Sequence, residues 1–441
     1  MSAKVTETGY TLVIAEKPDA GRRIANALGV SKQIRIGRVE ALDVSNAFNG
    51  EHYVICAAAG HLYGVADNRS RSTYPVFEVE WLPLDAVLAK RRGRQRGRSK
   101  SLAAFAGNRI EAIRLLSKHA GRYVHACDYD LEGETIGFNI LKFACGPGSL
   151  ENCKRARFST LTESEIKQSF SNLEPMNSSL AQAGRTRHVV DFLWGINLSR
   201  ALSGAYAKAT QGYRNVTIGR VQGPTLSFVV ERDIQNKTHV PLPFWRIFAS
   251  LGKDEMTFES QYGIKRIATK HIADAVMESV SKAKNATVKS SKDSIFKEHP
   301  PFPFNLGDLQ SEAFRRYRLS PSMTLKIAEK LYLRALISYP RTGSQKLPGS
   351  IAYQKIIQAL SHAPEYRRMA EDVLRLGNAF PRQGPKEDLA HPAIHPTGER
   401  SNRLDSGEVK IYDLVVRRFL AAFSEDAILS ETRAEFEIAS Y

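Results

Sequence analysis

The first 160 residues alternate apolar runs rich in β-forming residues with segments of helical periodicity. The strand-like YTLVIAEKP (10–18) precedes the helical DAGRRIANALG (19–29), and HYVICAAAGHLYGV (52–65) is typical of a second buried strand. A third strand, RYVHACDYD (122–130), leads into the helical LEGETIGFNILKFACG (131–146). This alternation predicts a mainly parallel sheet with helices on both faces.

Parallel sheets of this kind place functional residues at the carboxyl ends of their strands. Glu16, His61 and Asp128 all fall at such ends. In the first helix, Asp19 is placed to cap the N-terminus and Gly29 to end the helix. We therefore expect a functional edge on this sheet.

The net charge of the chain favours a polyanionic partner. Among 441 residues, 63 Lys and Arg oppose 46 Asp and Glu, which gives +17. Nucleic acid is the first expected partner and a membrane surface the second, although a general basic bias of the proteome gives the same excess. No apolar run approaches the roughly 18 residues of a spanning helix, and the N-terminus does not resemble a signal peptide, so we expect a cytoplasmic protein. The four cysteines form no CxxC pair, so neither a zinc site nor a disulfide framework is expected.

Carboxylates crowd the end of the third predicted strand. In DYDLEGE, Asp128, Asp130 and Glu132 lie within five residues, and Glu134 follows. Because clustered carboxylates repel one another, a fold keeps them together mainly to hold a hard cation such as Mg²⁺, which leaves positions open for phosphate oxygens. The alternative is an acidic helix N-terminus that suits the helix dipole without a metal. Four acids at the mouth of a buried strand in a basic protein favour the metal.

Two neighbouring charges end the first predicted strand. Glu16 could transfer a proton and Lys17 could anchor a phosphate. A surface ion pair is the alternative, and these two residues alone do not exclude it.

A tyrosine in ALISYPRTGS (335–344) has two interpretations, core filler or nucleophile. Cleavage of a phosphodiester without water as nucleophile needs a hydroxyl, and a covalent ester would store the bond energy. Arg341 lies two residues from Tyr339, so in an extended segment both side chains point the same way and the guanidinium could bind the attacked phosphate. His391, in HPAIHPTGE, is a further candidate phosphate donor.

Two basic blocks offer contacts to a nucleic-acid backbone. GRTRHVVD (184–191) and GRVQGPTL (219–226) supply the candidates Arg187, His188, Arg220 and Gln222.

Taken together, these blocks resemble type IA DNA topoisomerases, in the topoisomerase III-like branch and in a form typical of archaea. VIAEKPDAGRRIA and ACDYDLEGETIG are similar to the two halves of the family's Toprim metal site. IGRVQGPTL resembles its GRVQTPTL block, LYLRALISYPRTGS its active-site LYExGLITYPRTDS, and HPAIHPT its HxAIRPT block. The matches keep the family's order from residue 10 to about 425.

The resemblance implies a role for each candidate residue. Tyr339 would be the nucleophile that leaves a 5′-phosphotyrosine, Glu16 would handle the proton of the 3′-oxygen, and Lys17, Arg341 and His391 would stabilise phosphate charge. Mg²⁺ would be held by Glu16, Asp128, Asp130 and Glu132. A single-strand groove would be lined by His61, Arg187, His188, Asp191, Arg220 and Gln222. The substrate would be single-stranded or underwound DNA, relaxed without ATP by a monomer, with a helicase or single-strand-binding protein as possible partner.

The same resemblance implies the domain organisation, which is multi-domain α/β and α+β. We expect a Toprim domain at 1–160, a helical DNA-binding base domain at 161–235, a β-rich first part of an arch at 236–300 and the tyrosine domain at 301–400. Residues 401–441, where helical periodicity fades and RAEFEIASY looks like a strand, would begin the returning arch. We therefore expect the chain to lack the C-terminal part of the toroid.

Four positions depart from the family's motifs. Gly343 replaces an aspartate, His395 an arginine, and Tyr129 and Leu131 the proline and arginine of DPDREGE. None removes a group assigned to the chemistry. The alternatives to an active catalytic core are a Toprim nuclease or primase, which would have no use for Tyr339, a non-catalytic fragment that binds single-stranded DNA, and the C-terminal module of a reverse gyrase.

Overall fold

A computed structural model describes residues 9–67, 74–90, 98–377, 380–401 and 403–441. The chain divides into two compact units. The first unit comprises Met1–Gln222 and Pro301–Ser424, and the second comprises Gly223–Pro300 and Glu425–Tyr441. In the described ranges, no helix combines the length and the apolar character needed to cross a bilayer.

The first unit is built on a seven-stranded sheet. The strands of this part of the chain are β1 (Tyr10–Ala15), β2 (Lys32–Ile36), β3 (Val39–Val44), β4 (Tyr53–Ala57), β5 (Tyr63–Asp67), β6 (Val79–Pro83), β7 (Ala120–Ala126), β8 (Cys153–Arg155) and β9 (Glu174–Pro175). The sheet order is β2-β3-β4-β1-β7-β8-β9, and β5 pairs with β6 separately. The central strands β4, β1, β7 and β8 are parallel, whereas β2, β3 and β9 join in antiparallel pairs.

Helices cover both faces of this sheet. They are α1 (Pro18–Leu28), α2 (Leu84–Lys90), α3 (Arg98–Ser117), α4 (Leu131–Ile140), which continues into a π-helical turn at Leu141–Cys145, α5 (Glu163–Ser171) and α6 (Ser178–Thr210). Because side chains alternate along a strand, β1 contributes side chains to two apolar cores, one on each face of the sheet. Val13 packs with residues of α1 and α5, and Leu12 packs with residues of α3 and α4. The predicted parallel sheet with helices on both faces is confirmed.

Two details of the prediction were wrong. The segment 52–65 is not one strand, because a turn with positive φ at Ala59 and Gly60 separates β4 from β5, which lies in a different sheet. Asp19 does not cap α1, since Lys17 occupies the N-cap position and Asp19 lies in the first turn. Gly29 ends α1 as expected.

The second unit contains two antiparallel strand pairs and two helices. Its elements are α7 (Gln222–Thr238), which begins at the boundary, β10 (Phe248–Lys253), β11 (Met256–Gln261), α8 (Lys270–Val280), β12 (Thr287–Glu298) and β13 (Ala427–Glu437). β10 pairs with β11, and β12 pairs along its length with β13. The strand predicted at the end of the sequence is thus present as β13, and it pairs with β12 of the β-rich segment.

The remainder of the first unit is helical. Its helices are α9 (Leu306–Tyr317), α10 (Pro321–Leu333), α11 (Tyr353–Ser361), α12 (Arg367–Arg375) and α13 (Ser406–Ala421). Leu331 of α10 and Ile411 of α13 share one apolar core with Ile24 of α1 and Ile166 of α5. This shared core holds the segment after α10 against the carboxyl end of the sheet.

Close packing of α4 against α6 depends on one glycine. A Cβ at Gly184 would lie 2.1 Å from Thr135 Oγ1 and 2.5 Å from the Leu131 carbonyl oxygen, whereas a Cβ at Gly204 of the same helix would meet no atom within 4 Å. We expect Gly184→Ala to lower the free energy of unfolding by about 1–3 kcal/mol, because the helices must separate. Gly204→Ala should be neutral or stabilising by up to about 1 kcal/mol. Equal urea midpoints for the two variants would contradict this packing.

Candidate active site

The acidic turn after β7 forms one side of the site. Asp128 is 3% exposed, and Asp130 caps α4 by accepting a hydrogen bond from the Gly133 amide at 2.7 Å. A Cβ at Gly133 would lie 2.0 Å from the Asp128 carbonyl oxygen. Only glycine therefore fits this turn, which holds the two aspartates at the start of the helix.

Lys17 lies at the end of the neighbouring strand β1 and binds this acidic turn. Its Nζ donates to Asp128 Oδ2 at 2.7 Å and lies 3.2 Å from Glu16 Oε1. Burial alone would lower the pKa of Lys17, but Asp128 and Glu16 together outweigh it and hold that pKa above its usual value. Lys17 is therefore a fixed positive charge inside the site.

Glu16, which follows β1, is a largely buried carboxyl group with altered acidity. Burial, followed by repulsion from Asp128, raises its pKa to about 7 against the opposing effect of Lys17. Its Oε2 is buried and has no hydrogen-bond partner. Near neutral pH the group can therefore hold or release a proton, and one of its oxygens is available to a ligand.

Tyr339 reaches the acidic turn from the segment after α10. Its hydroxyl donates to Asp130 Oδ2 at 2.7 Å, and its amide donates to the Ser159 carbonyl at 2.8 Å. The side chain is 2% exposed, and burial, then the charges of Asp128 and Asp130, hold the pKa of the phenol far above its usual value. Two residues separated by 209 positions are thus in contact. The residues around Tyr339 in the sequence did not decide whether it fills the core or acts as a nucleophile.

A second phenol, which sequence reasoning missed, lies beside the first. Tyr332 of α10 donates to Asp128 Oδ1 at 3.1 Å, and its ring packs edge-on against that of Tyr339 with centroids 5.2 Å apart. Both oxygens of Asp128 are thus occupied, one by Lys17 and one by Tyr332. Tyr332 lies in the motif that carries Tyr339, but its helical position next to Leu331 is typical of a core residue.

His391 also packs against the Tyr339 ring. The ring centroids are 4.5 Å apart, and Nδ1 shares a hydrogen bond with Ser159 Oγ at 3.0 Å. Burial lowers the pKa of His391 to about 4, so the imidazole is neutral. Its Nε2 is buried without a partner, which leaves one nitrogen able to bind an incoming oxygen.

Arg341 is placed differently from the expectation. Its guanidinium binds Glu329 of α10 with nitrogen–oxygen distances of 2.8 and 2.6 Å. The side chain is 46% exposed, whereas Tyr339 points into the protein. A phosphate at Arg341 would therefore have to compete with Glu329.

Glu132 does not share the environment of the two aspartates. Its Oε2 lies 2.8 Å from His61 Nε2 and 3.0 Å from His188 Nε2, and Arg187 Nη1 lies 3.6 Å from Oε1. Hydrogen bonds from His188 and His61 hold the pKa of Glu132 far below its usual value. The predicted metal ligand thus lies among the predicted DNA-binding residues.

The same region gathers the other predicted DNA contacts. Asp191 is paired with Arg220 and lies 3.8 Å from the Arg187 guanidinium. Gln222 is exposed at the first position of α7. The structure therefore brings His61, Arg187, His188, Asp191 and Arg220 into one polar network on the first unit.

Arg155, at the end of β8, binds the acidic turn. The sequence did not indicate this role. It is fully buried. Its guanidinium donates to Glu134 Oε1 at 2.6 Å and to the carbonyl oxygens of Cys127 and Asp128 at 2.7 and 3.1 Å. In the sequence, Arg155 is one of three basic residues in the segment KRAR (154–157), and nothing distinguishes it from an exposed one.

The donors of the acidic pocket fit a hard divalent cation. Glu16, Asp128 and Asp130 supply carboxylate oxygens, and Glu16 Oε2 is buried without a hydrogen-bond partner. Mg²⁺ prefers such ligands and tolerates few protein contacts. In the structure, Lys17 and the two phenols occupy oxygens that a cation would share.

Comparison with known proteins finds two family matches along the chain. The Toprim domain family matches residues 11–161, and the DNA topoisomerase family matches residues 175–441. DNA topoisomerase 1 of Pyrococcus horikoshii is 41% identical over 424 residues, which cover 95% of this chain and 59% of that protein. DNA topoisomerase 1 of Methanothermobacter thermautotrophicus is 39% identical over 433 residues, which cover 97% of this chain and 57% of that protein.

A solved structure gives the same fold. Full-length topoisomerase I from Thermotoga maritima superposes with a TM-score of 0.66 and 22% identity, over 97% of this chain and 63% of the other. The chain spans little more than half the length of the curated relatives it matches. From the two family matches, which together cover nearly all of the sequence, the chain belongs to the type IA DNA topoisomerase family.

Proposed function

We propose that this chain carries the cleavage centre of a type IA DNA topoisomerase. Tyr339 would attack a phosphodiester of single-stranded DNA, forming a 5′-phosphotyrosine and releasing a 3′-hydroxyl. The observation that carries the proposal is the 2.7 Å hydrogen bond from the Tyr339 hydroxyl to Asp130 at the carboxyl end of the sheet. A nuclease that activates water would have no need for a buried phenol at that position.

The surrounding residues supply the remaining chemistry. As the bond from Tyr339 to phosphorus forms, the phenol proton leaves toward Asp130, which already accepts its hydrogen bond. As the bond from phosphorus to the 3′-oxygen breaks, Glu16 donates a proton to that oxygen, a role that suits its pKa of about 7. Rejoining reverses both steps, and the bond energy held in the ester makes ATP unnecessary.

The phosphate would be stabilised by three residues, two of them cations and one a neutral hydrogen-bonding imidazole. Lys17 is the fixed cation that binds the Asp128 carboxylate, and His391 offers its unpartnered Nε2. Arg341 would contribute after it exchanges Glu329 for phosphate. Fixed donors of this kind stabilise charge that develops during reaction.

Glu16, Asp128 and Asp130 would hold Mg²⁺, with Glu132 implicated by family resemblance alone. When bound, the ion would neutralise the acidic pocket and stabilise phosphate charge during rejoining. In the absence of phosphate, Lys17 already balances part of the negative charge. The protein's own part is therefore to keep three carboxylates close together at the end of a buried sheet.

The polar network of His61, Arg187, His188, Asp191 and Arg220, with Gln222, would contact the single strand. Arginines that contact phosphates fix the register of a strand without reading its sequence. The complete protein would relax negatively supercoiled DNA by passing one strand through the break. Membership of the topoisomerase III-like branch, an archaeal source, a monomeric state and assistance by a helicase are parts of this proposal.

Trapping the covalent intermediate tests the proposal. Single-stranded DNA labelled at its 3′-end or its 5′-end is incubated with the chain and Mg²⁺ and then denatured. A 5′-phosphotyrosine keeps the downstream fragment, so we expect the 3′-label on the protein and the 5′-label on a released strand. Cleavage that yields two free ends with no protein-bound label would support a nuclease instead.

Loss of the two aspartates should separate binding from rejoining. We expect Asp128→Asn with Asp130→Asn to bind single-stranded DNA as the wild type does. Asp130→Asn also removes the acceptor of the phenol proton, so adduct should form more slowly. Because both substitutions remove carboxylates from the pocket, Mg²⁺-dependent rejoining of the adduct that does form should fall by at least roughly tenfold. The measurement is the rate of rejoining over a Mg²⁺ titration. An unchanged dependence on Mg²⁺ would count against this metal assignment.

A further inference from the structure

Ser159 lies in the segment between β8 and α5 and contacts two residues of the proposed cleavage centre. Its hydroxyl is 3.0 Å from His391 Nδ1, and its carbonyl oxygen accepts a hydrogen bond from the Tyr339 amide at 2.8 Å. We propose that Ser159 is a positioning residue for cleavage: its hydroxyl donates to Nδ1 and thereby keeps the ring proton of His391 on Nε2, which donates to the attacked phosphate. This inference rests on the proposed function and adds a residue to it.

The direction of the hydrogen bond between Ser159 and His391 decides what Nε2 can do. Burial lowers the pKa of His391 to about 4, so near neutral pH one ring nitrogen carries a proton and the other accepts. If Nδ1 donated to the hydroxyl, Nε2 would be an acceptor and would repel the oxygens of a phosphate. If the hydroxyl donates to Nδ1, the ring proton is on Nε2, because the hydrogen bond of one nitrogen sets the protonation of the other.

The surroundings favour donation by Ser159. Among the residues that the structure describes, His391 Nδ1 is the one hydrogen-bond partner of the Ser159 hydroxyl. Donation to Nδ1 therefore satisfies the single proton of the hydroxyl and leaves only Nε2, which is buried, without a partner. The reverse direction would leave the hydroxyl proton without an acceptor as well. Since unpaired polar groups in a buried site are costly, the first arrangement is preferred.

The main chain around Ser159 is held by contacts that do not involve its hydroxyl. The Ser159 amide donates to Glu165 Oε1 at 2.5 Å, and the Thr160 hydroxyl donates to Glu165 Oε2. Glu165 lies in the first turn of α5, and the next residue, Ile166, is part of the apolar core beneath that helix. Removal of the Ser159 hydroxyl therefore leaves the anchor of this segment in place.

Ser159 also sets the position of His391 relative to the nucleophile. The Tyr339 and His391 rings have centroids 4.5 Å apart, so a phosphate bonded to the phenol would lie beside the imidazole. One residue thus holds the main chain of Tyr339 and the ring of His391. A donor that is fixed in place before the reaction stabilises developing charge without the cost of reorganisation.

Nitrogen NMR of the full chain with isotope-labelled histidine tests the hydrogen bond without DNA. The ring signals that disappear in His391→Gln identify His391. We expect a protonated Nε2 and an accepting Nδ1 in the wild type, and a mixture of the two tautomers in Ser159→Ala. A protonated Nδ1 in the wild type, or an unchanged tautomer in Ser159→Ala, would overturn the inference. Because no cleavage is needed, this result is independent of the proposed function.

Single-turnover formation of the covalent adduct tests the positioning role. With saturating single-stranded DNA, Ser159→Ala should slow adduct formation by roughly tenfold or more with unchanged DNA affinity, as expected when the partner that orients a histidine is lost. Ser159→Thr, which keeps a hydroxyl, should restore most of the rate. Thr160→Val is the matched control, since it removes a neighbouring hydroxyl that binds Glu165 and not His391, and it should keep the wild-type tautomer and slow the reaction less.

The outcomes separate this inference from the proposed function. Wild-type rates in Ser159→Ala, or equal slowing by Ser159→Ala and Thr160→Val, would overturn the role of Ser159 and leave the cleavage centre standing. No adduct with the wild-type chain would overturn the proposed function together with this inference.

Discussion

Tyr339→Phe is expected to abolish the covalent DNA adduct while leaving binding of single-stranded DNA intact. The substitution removes one oxygen, and that oxygen is the proposed nucleophile. The ring keeps its packing against Tyr332 and His391, whose centroids lie 5.2 and 4.5 Å away. We expect adduct to fall below detection, a loss of at least roughly a thousandfold, because no nearby group replaces a covalent nucleophile.

Tyr332→Phe is the matched control. It removes a buried hydroxyl of the same kind, 3.1 Å from Asp128, only seven positions earlier in the same motif. Because Tyr332 is not the nucleophile in this account, the variant should still form adduct, although less orderly placement of Asp128 can slow it. Adduct that persists in Tyr339→Phe and disappears in Tyr332→Phe would show that Tyr332, and not Tyr339, is the nucleophile.

Arg155→Met is expected to produce the largest loss of stability. The guanidinium is fully buried, and it pairs with a carboxylate, Glu134, that is also buried. Methionine fills part of the volume but leaves the Glu134 charge and the Cys127 and Asp128 carbonyls without their donor. Breaking such a pair on one side costs about 3–5 kcal/mol. Urea unfolding of the full chain measures the change.

Arg157→Met provides the comparison two residues further along. Arg157 is exposed, donates to the Leu389 carbonyl at 2.8 Å and stacks over the Tyr129 ring at 4.6 Å. A single hydrogen bond and an exposed cation–π contact contribute about 1–2 kcal/mol together. If Arg155→Met is no more destabilising than Arg157→Met, the buried arginine does not support the acidic turn as described.

The sheet and its acidic edge were predictable from sequence, since buried parallel strands consist of continuous apolar runs. β1 is buried along its whole length, and β7 leads directly into the acidic turn. The short strands β2 and β3 were not recognised, because their mixed composition resembles surface loops. α13 was also missed, although Asp405 and Glu408 form a capping box at its start.

The relation between neighbouring acids was harder to predict than their presence. Asp130 and Glu132 are two residues apart, which suggested one ligand set. Asp130 is the N-cap, however, and Glu132 already lies on the helix, where each residue turns by about 100°. Glu132 therefore faces α6 and the histidines instead of Tyr339. Contacts such as Tyr332 with Asp128 join residues 204 positions apart, and no local pattern encodes them.

The central claim is that the phenol at the acidic edge becomes bonded to DNA. Nuclease digestion of the trapped wild-type adduct, followed by proteolysis and tandem mass spectrometry, identifies the modified side chain. The account predicts a nucleotide joined through its 5′-phosphate to Tyr339, in the peptide containing SYPRTGS. A nucleotide on any other residue, or a linkage through a 3′-phosphate, would contradict it.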